Sequence, residues 1–82
     1  MSPFRHNAPH GTLADLQPGF SAAVIEVSHS DQPLCVRLQE MGLLPGAPVE
    51  VISHQGGTVV RVGEQRLCLG EDLARAVEVV AV

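Results

Sequence analysis

Thr58-Val59-Val60-Arg61-Val62-Gly63-Glu64-Gln65-Arg66-Leu67-Cys68-Leu69 reads as a tight β-hairpin. Thr58 to Val62 is β-branched apart from Arg61, and branching at Cβ suits a pleated strand better than a helix. Gly63-Glu64 is a two-residue connection. Gly63 suits the first central position of a type II′ turn, which needs a positive φ. Gln65 to Leu69 then returns as the partner strand, with Leu67 and Leu69 on one face and Cys68 on the other.

Working outward, the same chemistry recurs. Gln55-Gly56-Gly57 turns the chain before the hairpin, and ahead of it Val49 and Val51 alternate with Glu50 and Ile52 in a strand ending near His54. That strand follows a Pro-Gly bend, Leu43-Leu44-Pro45-Gly46. A helix comes before the bend: Pro33 can open it without wasting a backbone donor, Asp31 or Gln32 precedes it with Asp31 the better cap by type, and Gly42 can end it in the left-handed conformation. At about 100° per residue Leu34, Leu38 and Met41 fall on one stripe, flanked by Cys35 and Arg37, while Val36, Gln39 and Glu40 face away. Ser28 to Gln32 is a polar loop. From Phe20 to Val27, Ala23, Ile25 and Val27 share one face and Val24 and Glu26 the other, as in a half-buried strand.

At the ends, Thr12 to Leu16 with Gln17-Pro18-Gly19 is a short lead-in closed by a tight bend. Met1 to Gly11, rich in Pro, Asn, Gly and His, has the composition of a flexible tail, so the folded domain is expected over residues 12–82. Downstream, Gly70 to Ala76 places Glu71 and Asp72 early and Arg75 late, the polarity a helix dipole favours, and Val77 to Val82 gives the last strand. The chain is therefore expected to be mainly β. Five short strands with glycine-rich corners, one helix after the first strand and a short helix before the last, make a small barrel, because so small a sheet buries its apolar face only by curling onto itself.

Composition excludes several kinds of work. Eighty-two residues suffice for one domain, and the net charge of −4, with five Lys and Arg together, leaves no basic footprint for nucleic acid. All five are arginine, so the lysine of a Walker-type phosphate loop is missing. No stretch approaches the roughly 18 apolar residues of a membrane helix, and no secretory h-region opens the chain, so no membrane insertion and a cytoplasmic location are expected. Cys35 and Cys68 form no C-x-x-C and read as free thiols. Ser28-His29-Ser30 and Ser53-His54 put serine next to histidine, but neighbours in an extended chain point to opposite sides and no third group orients them. An enzyme is not expected. A proline-rich ligand needs an aromatic-lined groove, and Phe4 and Phe20 are the only aromatic residues.

Leu13-x-x-Leu16-x-Pro18-Gly19, Arg37-Leu38-x-x-Met41-Gly42-x-x-Pro45-Gly46 and Leu67-x-Leu69-Gly70 with Leu73-Ala74 and a closing Val-Glu-Val together resemble the FeoA family of bacterial ferrous-iron transport proteins. The second segment is the most specific, and the likeness runs from Thr12 to Val80. It implies an SH3-like barrel and a regulatory, non-enzymatic adaptor binding the cytoplasmic part of the FeoB membrane transporter. No cofactor is required by it. One departure is the stretch His54-Gln55-Gly56-Gly57, where family members often carry an Ala-Pro-Leu-Gly loop. The domain also occurs fused to metal-dependent repressors, whose DNA-binding portion has no counterpart here.

Given that resemblance, the partner-binding candidates are Val36, Arg37, Glu40, Leu43 and Leu44, with Leu43 and Leu44 alternatively filling the barrel end. Leu38, Met41, Gly42, Pro45 and Gly46 read as structural. Arg37 either meets a partner or lays its aliphatic stem over the core. The alternative function is a sensor or carrier of a divalent metal, Fe or Zn, through His29, Asp31 and His54, which would need the fold or a homo-oligomer to assemble them. Self-association through an exposed barrel edge is a third reading.

Overall fold

Six antiparallel strands and two helices make up the computed structural model, which describes residues 2–6 and 8–82. In chain order they are β1 (His10–Thr12), β2 (Ser21–Val27), α1 (Gln32–Glu40), β3 (Pro48–Ser53), β4 (Thr58–Val62), β5 (Gln65–Leu69), α2 (Glu71–Ala76) and β6 (Val77–Ala81). They form one sheet in the order β1-β6-β2-β3-β4-β5. The sheet curls around a single core to which β2 to β6, both helices' inner faces and the lead-in all contribute. Helix α2 touches β1, β5 and β6, spanning the gap between the two edges. Among the described residues no helix is long and apolar enough to cross a membrane.

The hairpin is as its sequence demands. Thr58↔Leu69 through Val62↔Gln65 pair without a slip, Gly63 has φ +60°, and Glu64 is not at positive φ, the pattern of a II′ turn. Leu69 is buried and Leu67 half-buried, while Cys68 is exposed. Strand β3 likewise buries Val49 and Val51 and turns Glu50 outward.

Strand β2 departs from the expected faces. Ala22 and Val24 enter the core and Ile25 lies 45% exposed. The reason is a bulge: Val24 pairs with Val79 and Glu26 with Glu78, so Ile25 is an extra residue opposite no partner. An inserted residue shifts the alternation by one, which returns the odd-numbered Val27 to the inner side.

The N-terminal segment also departs from expectation. The tail expected over residues 1–11 contains Phe4, which is 1% exposed and part of the core, and His10–Thr12 is the sixth strand, paired with β6. Phe4 bridges Leu16, the Arg5 N–H donates to Asp15 O at 2.8 Å, and the Gln17 N–H donates to Pro3 O at 2.7 Å. Phe4 thereby joins Leu13 and Leu16 in the buried cluster. Met1 and Asn7, also in that expected tail, lie outside the described residues.

Helix α1 begins and ends by side-chain and backbone logic readable in its sequence. The Asp31 carboxylate accepts from the Leu34 N–H at 3.1 Å, and Pro33 occupies the first turn. At the other end the Leu43 N–H donates to Leu38 O at 3.1 Å and the Gly42 N–H to Gln39 O at 3.0 Å, the paired bonds of a Schellman motif, with Gly42 at φ +110°. A Cβ on Gly42 would lie 2.9 Å from Val62 Cγ1. Gly42→Ala is therefore expected to cost at least about 1–2 kcal/mol, read as a lower urea midpoint at unchanged slope. An unaltered midpoint would mean that the turn does not hold this conformation.

Candidate partner-binding surface

The Schellman turn decides which of the candidate docking residues reach solvent. It reverses the chain directly behind α1, so Leu43 folds back onto Leu38 and is fully buried, while Leu44, one residue later, points out and is 50% exposed. Val36, on the outer face of α1, is 52% exposed. Arg37 and Glu40 are exposed as well. Of the residues expected to meet a partner, Val36, Arg37, Glu40 and Leu44 are thus exposed, whereas Leu43 belongs to the core. Of the motif positions read as structural, Leu38 is buried, Met41 and Gly42 are half-buried, and Pro45 and Gly46 are exposed in the bend.

Beside α1 lies a cleft of about 250 Å³ that the sequence did not announce. Its walls are Leu34, Leu38 and Met41 from the helix side and Leu67, Leu69 and Leu73 from β5 and α2, with Arg37 and Cys68 at its margin. At the start of β5, outside the cleft lining, Gln65 Nε2–H donates to Met41 O at 3.4 Å. The half-buried state of Met41, Leu67 and Leu73 follows from this cleft, since each packs against the core on one side and lines the cleft on the other. An alternation pattern shows which face a residue takes but not whether a neighbouring element closes over it.

The three residues considered for a metal do not form one ligand cluster. His29 accepts the Asp31 N–H at Nδ1 (3.0 Å), which puts the ring proton on Nε2, and that N–H donates to Asp72 Oδ2 at 3.0 Å. The Asp31 carboxylate is occupied as the helix cap. In His54, Nε2–H donates to Leu16 O at 2.7 Å and Nδ1 accepts from the buried Thr58 hydroxyl at 3.1 Å. Both lone pairs that a metal would need are in use, and no three His, Cys, Asp or Glu side chains among the described residues stand in ligating proximity. These residues do not fit a metal site as they stand. Their work is structural: His54 ties the lead-in to the start of β4, and His29 ties the β2–α1 loop to α2. Cys35 is buried with its thiol on His29 O, and both cysteines are free.

The sequence profile of the FeoA domain matches residues 11–81. Among solved structures, an iron uptake regulatory protein (FeoA) is 29% identical, with 89% of this chain and 97% of that chain covered at a TM-score of 0.78. The zinc complex of Stenotrophomonas maltophilia FeoA, described as a procaryotic SH3 domain protein and a candidate ferrous iron transport activating factor, is 32% identical over 83% of this chain and 87% of that one, at 0.74. A manganese-dependent transcriptional repressor aligns with 94% of this chain and 44% of its own length at 0.79, but at 20% identity that likeness concerns the fold alone. No curated protein matches the chain. The curled antiparallel sheet is thus of the SH3-like kind, and a profile that spans nearly every element from β1 to β6 shows that this chain belongs to the FeoA family.

Proposed function

We propose that the chain is a non-enzymatic regulatory adaptor of ferrous-iron transport that docks on the cytoplasmic part of a FeoB-type membrane transporter. The observation that carries this reading is the pair of aliphatic side chains, Val36 and Leu44, left half-exposed on α1 and the bend behind it while the residues between them, Leu38 and Leu43, turn inward. Isolated exposed apolar residues are ordinary, but two presented by one capped helix and its rigid turn form a fixed surface that a partner can cover. Arg37 and Glu40 beside them supply a polar rim. The family's place in iron transport, and the naming of its relatives as regulators or activating factors, point to the transporter as that partner.

The double variant Val36→Asp, Leu44→Asp tests it. Binding to the transporter's isolated cytoplasmic domain, followed by calorimetry, is expected to weaken at least about tenfold, because a buried anchor residue commonly contributes more than about 1 kcal/mol. The thermal midpoint should hardly move, since both positions are surface sites. A folded double variant that binds as tightly as the parent would overturn the docking surface.

A further inference from the structure

Strand β5 ends the sheet, paired with β4 on one side and with no strand on the other among the described residues. In a two-residue hairpin the closing pair, here Val62 and Gln65, exchanges both main-chain bonds, and bonded pairs alternate from there. Gln65, Leu67 and Leu69 therefore spend their N–H and C=O groups on β4. Those of Arg66 and Cys68 point to the open edge, and no backbone group of another described segment reaches them. The opposite edge is treated differently: β1 is three residues long, and the N-terminal segment lies over it through His6 Nε2–H to His10 O at 2.9 Å.

Two further features lie along this edge. The apolar cleft runs beside it, with Leu34 and Met41 facing Leu67 and Leu73. On the outer face a row of charges crosses the strands: Glu50 stands opposite Arg61, and Arg61 opposite Arg66. Arg61 donates to Glu50 at 3.2 Å, whereas Arg66 faces a like charge and has no ion pair among the described residues. Like charges directly opposite oppose strand pairing, and the next place in the row is the empty edge. Arg37, on the margin of the cleft, also has no ion pair among the described residues.

We infer that β5 accepts an extended segment of a partner protein in which aliphatic residues alternate with acidic ones. Its main chain bonds to Arg66 and Cys68, its aliphatic side chains enter the cleft, and an acidic side chain lies opposite Arg66 to complete the charge row. A second copy of this chain fits less well, because Gln65-Arg66-Leu67-Cys68-Leu69 contains no acid and self-pairing would bring arginine toward arginine. The inference rests on the adaptor reading but uses a different surface from Val36 and Leu44, so the two fail separately.

The probe is an acetylated, amidated heptapeptide of alternating Val and Asp, titrated into the full chain and followed by amide NMR, with a Val and Lys heptapeptide as its counterpart. The Asp peptide is expected to shift the Arg66 and Cys68 amides and slow their hydrogen exchange, and to bind about two- to fivefold more tightly than the Lys peptide. Arg66→Glu, which leaves the backbone alone, should reverse that preference. Cys68→Pro removes the outward N–H while sparing the β4 bonds and should abolish binding, whereas Cys68→Ser should retain it. Equal binding of both peptides, no response at Arg66 and Cys68, or concentration-dependent protection of those two amides without peptide, which would mark a second copy as the occupant, each overturns the inference.

Discussion

Leu43→Ala is expected to lower the unfolding free energy by about 2–5 kcal/mol, while Leu44→Ala, one residue along, changes it by no more than about 0.5 kcal/mol. The contrast comes from one turn. Leu43 follows Gly42 in the Schellman motif, where its N–H closes onto Leu38 O and its side chain fills the end of the barrel with no exposure. Truncation there removes buried methyl groups and leaves a void that the surrounding strands only partly collapse into. Domains of this kind are stabilised by only about 5–15 kcal/mol in total, so the loss is a large share of what holds the fold. Leu44 already spends half of its surface in water and has little to lose. Urea unfolding of the two variants decides it: similar midpoints would mean that the turn does not sort the two leucines as described.

Phe4→Ala is expected to cost about 3–5 kcal/mol, and removing the first five residues about as much. Phe4 is one of two Phe, Tyr or Trp side chains in the protein and is almost wholly buried in the same core cluster as Leu13 and Leu16. The backbone on either side of it is fixed by the bonds from Arg5 to Asp15 and from Gln17 to Pro3, and Gln17 Nε2–H adds a bond to Ser2 O at 2.8 Å. Residues 3–5 thus behave as a strand-like strap on the lead-in. Thermal unfolding of the variant and the truncated chain checks this, and midpoints equal to the parent's would show that the segment is dispensable for the fold.

What the sequence made legible was local. The hairpin, the Asp31 cap, the glycine stop of α1 and the acid-first polarity of α2 each depend on residues within a turn of one another, and each is found where its chemistry placed it. What it hid was non-local. The bulge at Ile25 depends on the register of β2 against β6, two strands some fifty residues apart in sequence, and no pattern inside Phe20 to Val27 reveals it. Phe4 sits among Pro, Asn and His residues, and a single aromatic in polar surroundings carries no periodicity. Its burial comes from the pairing of its backbone with the lead-in, which is a tertiary contact. The proposed docking surface was half legible: the outward face of α1 follows from helical spacing, but the division between Leu43 and Leu44 needs the turn geometry. The cleft beside β5 was not legible, because it is the absence of an element over Leu67 and Leu73 rather than a property of either residue.

The adaptor reading is tested most directly by titrating this protein into the cytoplasmic domain of its cognate FeoB-type transporter by calorimetry, with and without nucleotide, beside anaerobic titrations with Fe²⁺ and Zn²⁺. Saturable binding to the domain with only weak metal uptake is the predicted result. Tight, stoichiometric metal binding with no measurable affinity for the domain would contradict it, and would mean that His29 and His54 give up the hydrogen bonds that now occupy their nitrogens.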